Sequence, residues 1–324
     1  MKKNVAVVMG GYSSEFEISI QSGEVVYNNL SKDLYNIFKI IIKKDKWICK
    51  DEMENELSIS KDDFSVNLQN KKLKFDVAFI AIHGSPGEDG VIQAYFDSIG
   101  LPYTGSDSNT SAITFNKNDC ISVLKKNNIP CANSIFLNKN SKIDQTKIIE
   151  KIGIPCFVKA NKSGSSFGVY KVNYKKELLV SIKNAFKIDD EVLIESFLNG
   201  TEVSVGLMKY KDNLEIFGIT ELVTENDFFD YEAKYSGKSQ EITPANISKV
   251  QKKNVIEISK KIYNILGIKG LSRSEFIFIG NTPYFLELNS IPGLTEESIL
   301  PKQALKKGIL LREIFEDLIN QAFK

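Results

Sequence analysis

Through its first third the chain alternates short apolar runs with an amphipathic segment: Val5 to Met9, Glu17 to Leu30, Ile37 to Ile42, and then Phe75 to Ile82. Runs of strand length set apart by a helical segment predict a small parallel α/β unit. Gly100-Leu101-Pro102-Tyr103-Thr104-Gly105 punctuates its end. A second, α+β unit is expected next, with a helix around Asn118 to Asn127, strands near Cys156 to Ala160 and Val192 to Phe197, and a glycine-serine loop between those strands. After Asn199-Gly200 come strands at Glu202 to Met208 and Leu214 to Ile219. A polar and aromatic stretch from Thr224 to Ile247 succeeds them, long enough to point to a functional loop or to disorder. Ile247, Val250, Val255, Ile258, Ile262 and Leu266 recur at helical spacing ahead of Gly267, and Leu311 to Ile319 reads as another amphipathic helix.

At 324 residues and 42% hydrophobic content the chain can bury a large core, so two or three domains sharing a cleft are expected. Its 42 Lys plus Arg nearly balance 41 Asp plus Glu, which leaves no bulk field to recruit nucleic acid or an anionic membrane; small molecules are the expected partners. Arg273 and Arg312 are the arginines, so chemistry that needs a planar guanidinium has two candidates, of which Arg312 falls on the surface of the last helix. Cys49, Cys120, Cys131 and Cys156 lack paired or metal-like spacing and fit reduced, buried thiols of a cytoplasmic protein. The apolar run at the start is too short for a signal peptide, and no stretch approaches the roughly 18 to 20 apolar residues that span a bilayer.

Ser274 to Ile279 and Pro283 to Leu288 flank Gly280-Asn281-Thr282, a hairpin signal. With the turn centred on Asn281, Glu275 stands opposite Glu287, and Asn289 shares the face of Glu287 by the two-residue period. Like charges opposed on a sheet call for a cation. Three hard oxygen donors suit Mg²⁺, or Mn²⁺, bound together with a nucleotide. Elsewhere, Lys159 precedes a loop of small residues from Ala160 to Gly168, where backbone N–H groups can approach an anion closely. That loop is neither a Walker A sequence nor a dinucleotide fingerprint. Lys117 and Lys234, read by themselves, pass for surface lysines, and the lone histidine, His83, for a structural residue as readily as a functional one.

Six segments in order closely resemble the D-alanine–D-alanine ligases of the ATP-grasp family: M-G-G-Y-S-S-E-F-E-I-S from Met9, H-G-S-P-G-E-D-G from His83, L-P-Y-T-G-S from Leu101, F-V-K-A-N-K-S-G-S-S-F-G from Phe157, D-Y-E-A-K-Y from Asp230 and F-L-E-L-N-S-I-P-G-L-T from Phe285. The resemblance runs from end to end. It implies an α/β fold of ATP-grasp architecture: an N-terminal substrate domain at 1–105, a central ATP-binding α+β domain at 106–198, and a C-terminal domain at 199–324 with the metal site and a loop that closes over it.

The resemblance also implies roles. Lys117, Lys159 and Lys234 would hold the ATP phosphates; Glu195, Phe197 and Leu198 the adenine edge; Glu202 the ribose; Glu275, Glu287 and Asn289 the magnesium. Glu17 would hold the first D-alanine's ammonium, Ser298 the second one's carboxylate, and Arg273 with the Gly293 backbone the oxyanion, while Tyr235 and Ser165 would close the loop by bonding with Glu17. His83 would belong to the substrate pocket. Ser14 and Glu17 also stand at capping-box spacing, so Glu17 has a purely local reading as well. Glu275 departs from the family pattern, which has Asp there, and Phe229 keeps an expected aromatic.

The activity these roles imply is ATP-dependent joining of two D-alanines through a D-alanyl phosphate, in peptidoglycan precursor synthesis, by a cytoplasmic enzyme with a family tendency to form homodimers. A D-alanine–D-lactate ligase or another ATP-grasp carboxylate–amine ligase is the alternative within the same chemistry. A nucleotide-binding regulator that has lost turnover should lack metal or oxyanion residues, which this chain keeps, and P-loop and kinase motifs are missing.

Overall fold

The computed structural model describes residues 2–51, 53–69, 71–224 and 239–324. Three sheets follow one another along the chain. The first contains β1 (Lys3–Gly10), β2 (Tyr35–Ile42), β3 (Trp47–Lys50), β4 (Glu56–Ser60), β5 (Ser65–Leu68), β6 (Lys71–Leu73) and β7 (Val77–Ile80), with α1 (Phe16–Asn29) and α2 (Val91–Ile99) beside it. Its order is β6-β5-β4-β3-β2-β1-β7. β1 pairs in parallel with β2 and β7, as the alternation implied, whereas β2 through β6 run antiparallel. Those added strands are short and weakly patterned, so the sequence shows little of them.

α3 (Ser108–Phe115) and α4 (Lys117–Lys126) lead into a second sheet built from β8 (Ser134–Asn138), β9 (Cys156–Ala160), β10 (Val169–Val172) and β11 (Glu191–Ser196) in the antiparallel order β10-β9-β11-β8. α5 (Gln145–Ile152) and α6 (Lys175–Ala185) bury Ile148, Ile152, Leu178 and Ile182 against it. The third sheet has the order β14-β13-β12-β15-β16, from β12 (Thr201–Tyr210), β13 (Asn213–Thr224), β14 (Ser239–Ile242), β15 (Ser272–Ile279) and β16 (Thr282–Asn289). α7 (Lys249–Ile265), α8 (Ile299–Lys306) and α9 (Leu311–Ala322) complete the described elements.

The first and third sheets share a core. Val5, Val7 and Phe79 of the first pack with Met208 of β12 and with Phe315 and Leu318 of α9. The rings of Phe79 and Phe315 meet edge to face at 5.4 Å. Burying one such aromatic side chain stabilises the fold by about 2 kcal/mol, so the last helix ties the C-terminal sheet to the N-terminal one. α1 lies against β1 at Gly23, where a Cβ would come within 2.6 Å of the Met9 side chain. That close approach carries the head of α1 toward the site.

The β15–β16 hairpin gains its register from an irregularity that the sequence does not display. Ile279 pairs with Thr282 and Phe276 with Phe285, so the turn consists of Gly280 and Asn281, and this register continued would set Glu275 opposite Leu286. A shift between Glu275 and Phe276 inserts Leu286 as an extra residue, and Glu275 then pairs with Glu287, and Arg273 with Asn289. A one-residue slip turns a side chain to the other face of a sheet. The expected opposition of the two glutamates is therefore present, produced by a bulge and not by a turn centred on Asn281.

Candidate active site

Two cavities meet in the cleft. One, of about 400 Å³, lies between the second and third sheets and is lined by Lys117, Lys159, Glu195, Glu202, Glu275 and Glu287, with Phe197 and Leu198 on its wall. The other, of about 530 Å³, is lined by Glu15, His83, Ser165, Arg273, Asn289 and Ser298, with Gly293 at its edge. Glu287 lines both. Apart from Lys234, the residues expected around a nucleotide thus gather in the first cavity, and most of those expected around the substrates line the second.

The lysines are brought together by Asn161, a fully buried residue just beyond β9. Its side chain accepts from Asn118 N–H at 2.9 Å and donates to Asn116 Oδ1 and Glu191 Oε2, each at 2.8 Å. These bonds clamp the start of α4, where Lys117 sits, to the end of the strand carrying Lys159. Lys117 Nζ donates to the Ser163 carbonyl at 2.5 Å. Lys159 Nζ lies 2.6 Å from Glu195 Oε2, both groups buried. Burial works to depress the lysine's pKa, but the carboxylates of Glu195, Glu287 and Glu202 outweigh it and hold the value above that of a free lysine. The amine stays charged at neutral pH. Glu195 is thereby engaged by Lys159 as well as lining the cavity.

On the third sheet, Arg273 donates to Glu275 Oε1 at 2.8 Å. Arg273 Nε and Asn289 Nδ2 are buried polar atoms without a hydrogen-bond partner among the described residues. Such atoms are costly to leave unsatisfied and point to a polar occupant. Among the described residues no group of three His, Cys, Asp or Glu side chains converges on a point. The donor set here is two opposed carboxylates and an amide, which fits a hard divalent cation that keeps some water or phosphate oxygens as ligands.

Glu17 is a correction. It is exposed and does not line the second cavity, whereas Glu15 does. α1 begins at Phe16, and its buried face carries Ser19, Ser22, Gly23 and Val26. Glu15 lies four residues before Ser19 and shares that face, while Glu17, two residues before it, points roughly 200° away. Ser165 Oγ accordingly bonds to Glu15 Oε1, at 2.5 Å, and not to Glu17. The capping box at Ser14 is also absent, since the helix N-cap is Glu15 and no side chain caps it. Lys234, Tyr235 and Phe229 lie outside the described residues.

His83 is buried in a defined chain of bonds. Its Nδ1 lies 3.0 Å from the Ile291 carbonyl, which can only accept, so Nδ1 carries the proton. Nε2, 2.9 Å from Ser22 Oγ, then accepts from that hydroxyl, and Ser22 Oγ accepts in turn from Leu294 N–H at 3.2 Å. Burial holds the imidazole pKa below its usual value and keeps it neutral. His83 thus anchors both ends of the Ile291 to Leu294 segment, which contains Gly293. Nearby, Glu88 lines the second cavity, and its Oε2 accepts from Gly84 N–H at 2.7 Å. Burial first, and then the Glu15 carboxylate, push its pKa up to about 8. Glu15 and Glu88 both fall inside the family-like segments, but spacing did not distinguish them from their acidic neighbours.

Arg312 is exposed and paired with Glu316 at 2.8 Å on α9. The four cysteines are free, and burial pushes the Cys49, Cys120 and Cys131 thiols up to about 12. Among the described residues, no helix is long and apolar enough to cross a membrane.

Comparison with known proteins places the chain's sequence and fold among relatives of one family. The profile described as D-ala D-ala ligase N-terminus matches residues 4–106, and that described as D-ala D-ala ligase C-terminus matches residues 123–320. The D-alanine–D-alanine ligase of Flavobacterium johnsoniae is 54% identical over 318 residues, 98% of either chain, and that of Christiangramia forsetii is 50% identical over 322 residues, 99% of either chain. Among solved structures, the VanG D-Ala:D-Ser ligase from Enterococcus faecalis superposes with a TM-score of 0.88 at 28% identity, over 99% of this chain and 100% of that one. The D-alanine–D-alanine ligase from Bacillus anthracis complexed with ATP gives a TM-score of 0.80 at 28% identity, over 99% of this chain and 97% of that one.

Proposed function

The chain belongs to the D-alanine–D-alanine ligase family, with the ATP-grasp fold, and from that premise we propose that it joins two D-alanines to D-alanyl-D-alanine with conversion of ATP to ADP and phosphate. The observation that carries the reading is Glu287, which lines both the cavity of the phosphate-type lysines and that of Arg273 and Ser298. A group on the shared wall serves a reaction in which a phosphoryl group passes from one compartment to the other.

In the first step a carboxylate oxygen of the first D-alanine attacks the γ-phosphorus, the bond to the β,γ-bridging oxygen breaks, and ADP departs. Lys117 and Lys159 offset phosphate charge, and the apolar wall with Phe197 and Leu198 takes the adenine beside Glu195, with Glu202 at the ribose. Glu275, Glu287 and Asn289 would hold Mg²⁺ or Mn²⁺, which when bound offsets charge on the transferring phosphoryl oxygens. Glu15 offers a carboxylate to the first substrate's ammonium. In the second step the other D-alanine, its carboxylate at Ser298, attacks the acyl carbon through its free amine. The tetrahedral oxyanion accepts bonds from the Arg273 guanidinium and the Gly293 N–H; phosphate leaves, and the amine's extra proton is lost.

The same reading divides the chain into domains at 1–105, 106–198 and 199–324, with the nucleotide between the last two, in a cytoplasmic homodimer that supplies a peptidoglycan precursor. Phosphate release from ATP and Mg²⁺ with D-alanine, run beside L-alanine and D-alanine plus D-lactate with products identified by mass, tests it. Dipeptide with D-alanine only is expected; D-alanyl-D-lactate in preference, or silence with all three, would defeat it.

A further inference from the structure

Gln303 of α8 is fully buried and sits in a slot that two glycines open for it. Gly206 on β12 pairs in register with Gly218 on β13. A Cβ on Gly206 would come within 2.3 Å of Gln303 Oε1, and one on Gly218 within 2.8 Å of its Cγ. Every hydrogen-bonding atom of the amide is used: Oε1 accepts from Gly206 N–H at 3.0 Å, and Nε2 donates to the Ser204 carbonyl at 3.0 Å and to Thr220 Oγ1 at 2.9 Å. Thr220, already accepting, lies 2.6 Å from the Thr243 hydroxyl, just beyond β14. A buried amide satisfied in this way is held in one place, and so is the helix that carries it.

The register says what it is held against. Gly218, Gly206, Arg273 and Asn289 form one cross-strand row, and Thr220, Ser204, Glu275 and Glu287 the row two residues along. Side chains two residues apart share a face of a sheet. Gln303 therefore plugs into the same two rows, on the same face, as the guanidinium and the carboxylates of the site. Ser298, the N-cap of α8, stands little more than one helical turn before it, with its Oγ 2.8 Å from Thr295 Oγ1.

We propose that Gln303 is a positioning residue of the acceptor subsite: by keying α8 into the sheet it sets Ser298 relative to Arg273, so that the second substrate's carboxylate is bound with its amine facing the acyl carbon. This rests on the reading of Ser298 given above. The test is steady-state kinetics of the full-length protein, with separate Michaelis constants for ATP, donor and acceptor D-alanine, on wild type, Gln303→Met and Thr220→Val. Methionine keeps the bulk and loses the bonds; valine keeps the shape of threonine and removes one bond to Gln303. The acceptor constant should rise on the order of tenfold in Gln303→Met and about threefold in Thr220→Val, with the ATP and donor constants held within about twofold. Equal changes in all three constants, or lowered Tm with unchanged constants, would overturn the proposal. Should Gln303→Met fail to fold, Thr220→Val decides by the same split. A wild type that makes no dipeptide from D-alanine would remove the underlying reading, and this inference with it.

Discussion

Ser165 Oγ and Glu15 Oε1 lie 2.5 Å apart, joining the loop after β9 to the head of α1 across 150 residues of chain. The contact has a backbone cost, because Ser165 and Ser166 hold φ of +48° and +58°, the left-handed region that non-glycine residues enter sparingly. It also needs Gly164, where a Cβ would stand 2.7 Å from Glu15 Oε2. Small residues in this loop thus serve close approach to the Glu15 carboxylate.

Glu15→Gln should lower kcat/KM for D-alanine by roughly tenfold or more, since it removes the charge facing the cavity, while Glu17→Gln on the exposed face should stay within about twofold of wild type. Saturation curves in D-alanine at fixed ATP check this. A larger loss at Glu17 would return the role to that residue.

The buried Lys159–Glu195 pair, 2.6 Å apart, predicts a strong asymmetry between single and double substitution. Lys159→Met leaves Glu195 charged and buried without this partner, which should destabilise the protein by about 3 kcal/mol in urea unfolding. The double substitution Lys159→Met with Glu195→Gln should recover most of that stability. ATP affinity should remain low in both, because the cationic group is missing from each.

For the metal set, Glu287→Gln should raise the Mg²⁺ concentration needed for half-maximal activity several-fold, because one of two opposed carboxylates loses its charge. The same substitution relieves like-charge repulsion across the hairpin, so unfolding measured in EDTA should show a small gain in stability, about 0.5 kcal/mol. An unchanged magnesium titration would take Glu287 out of the site.

Glu88, with its pKa raised from 4.5 to about 8, gives a pH prediction with a definite sign. The folded state binds the proton more tightly than the unfolded chain, so its stabilising contribution is full below pH 4.5 and is lost as pH rises toward 8. Unfolding free energies taken between pH 5 and 8 should fall by roughly 1 kcal/mol per pH unit in wild type relative to Glu88→Gln. Parallel pH profiles for the two proteins would show that this carboxyl is ionised in the folded state.

Much of this protein is readable from local pattern. The runs Val5 to Met9 and Ile37 to Ile42, the helix ended by Gly267 at φ +66°, and the hairpin around Gly280-Asn281 are set by periodicity and turn chemistry, forces that act within a few residues. The ordered segments that mark the family are legible for the same reason, as they are contiguous. Tertiary structure decided what local pattern leaves degenerate. Glu15 and Glu17 have nearly the same neighbours, and which one faces the cavity depends on the face of α1 that packs on β1. Glu275 meets Glu287 through a bulge at Leu286, whose register is set by pairing along the whole hairpin. Gln303 reads as an ordinary polar residue in a helix until Gly206 and Gly218, far off in sequence, open the slot that buries it. A buried polar side chain takes its meaning from partners that only folding brings near.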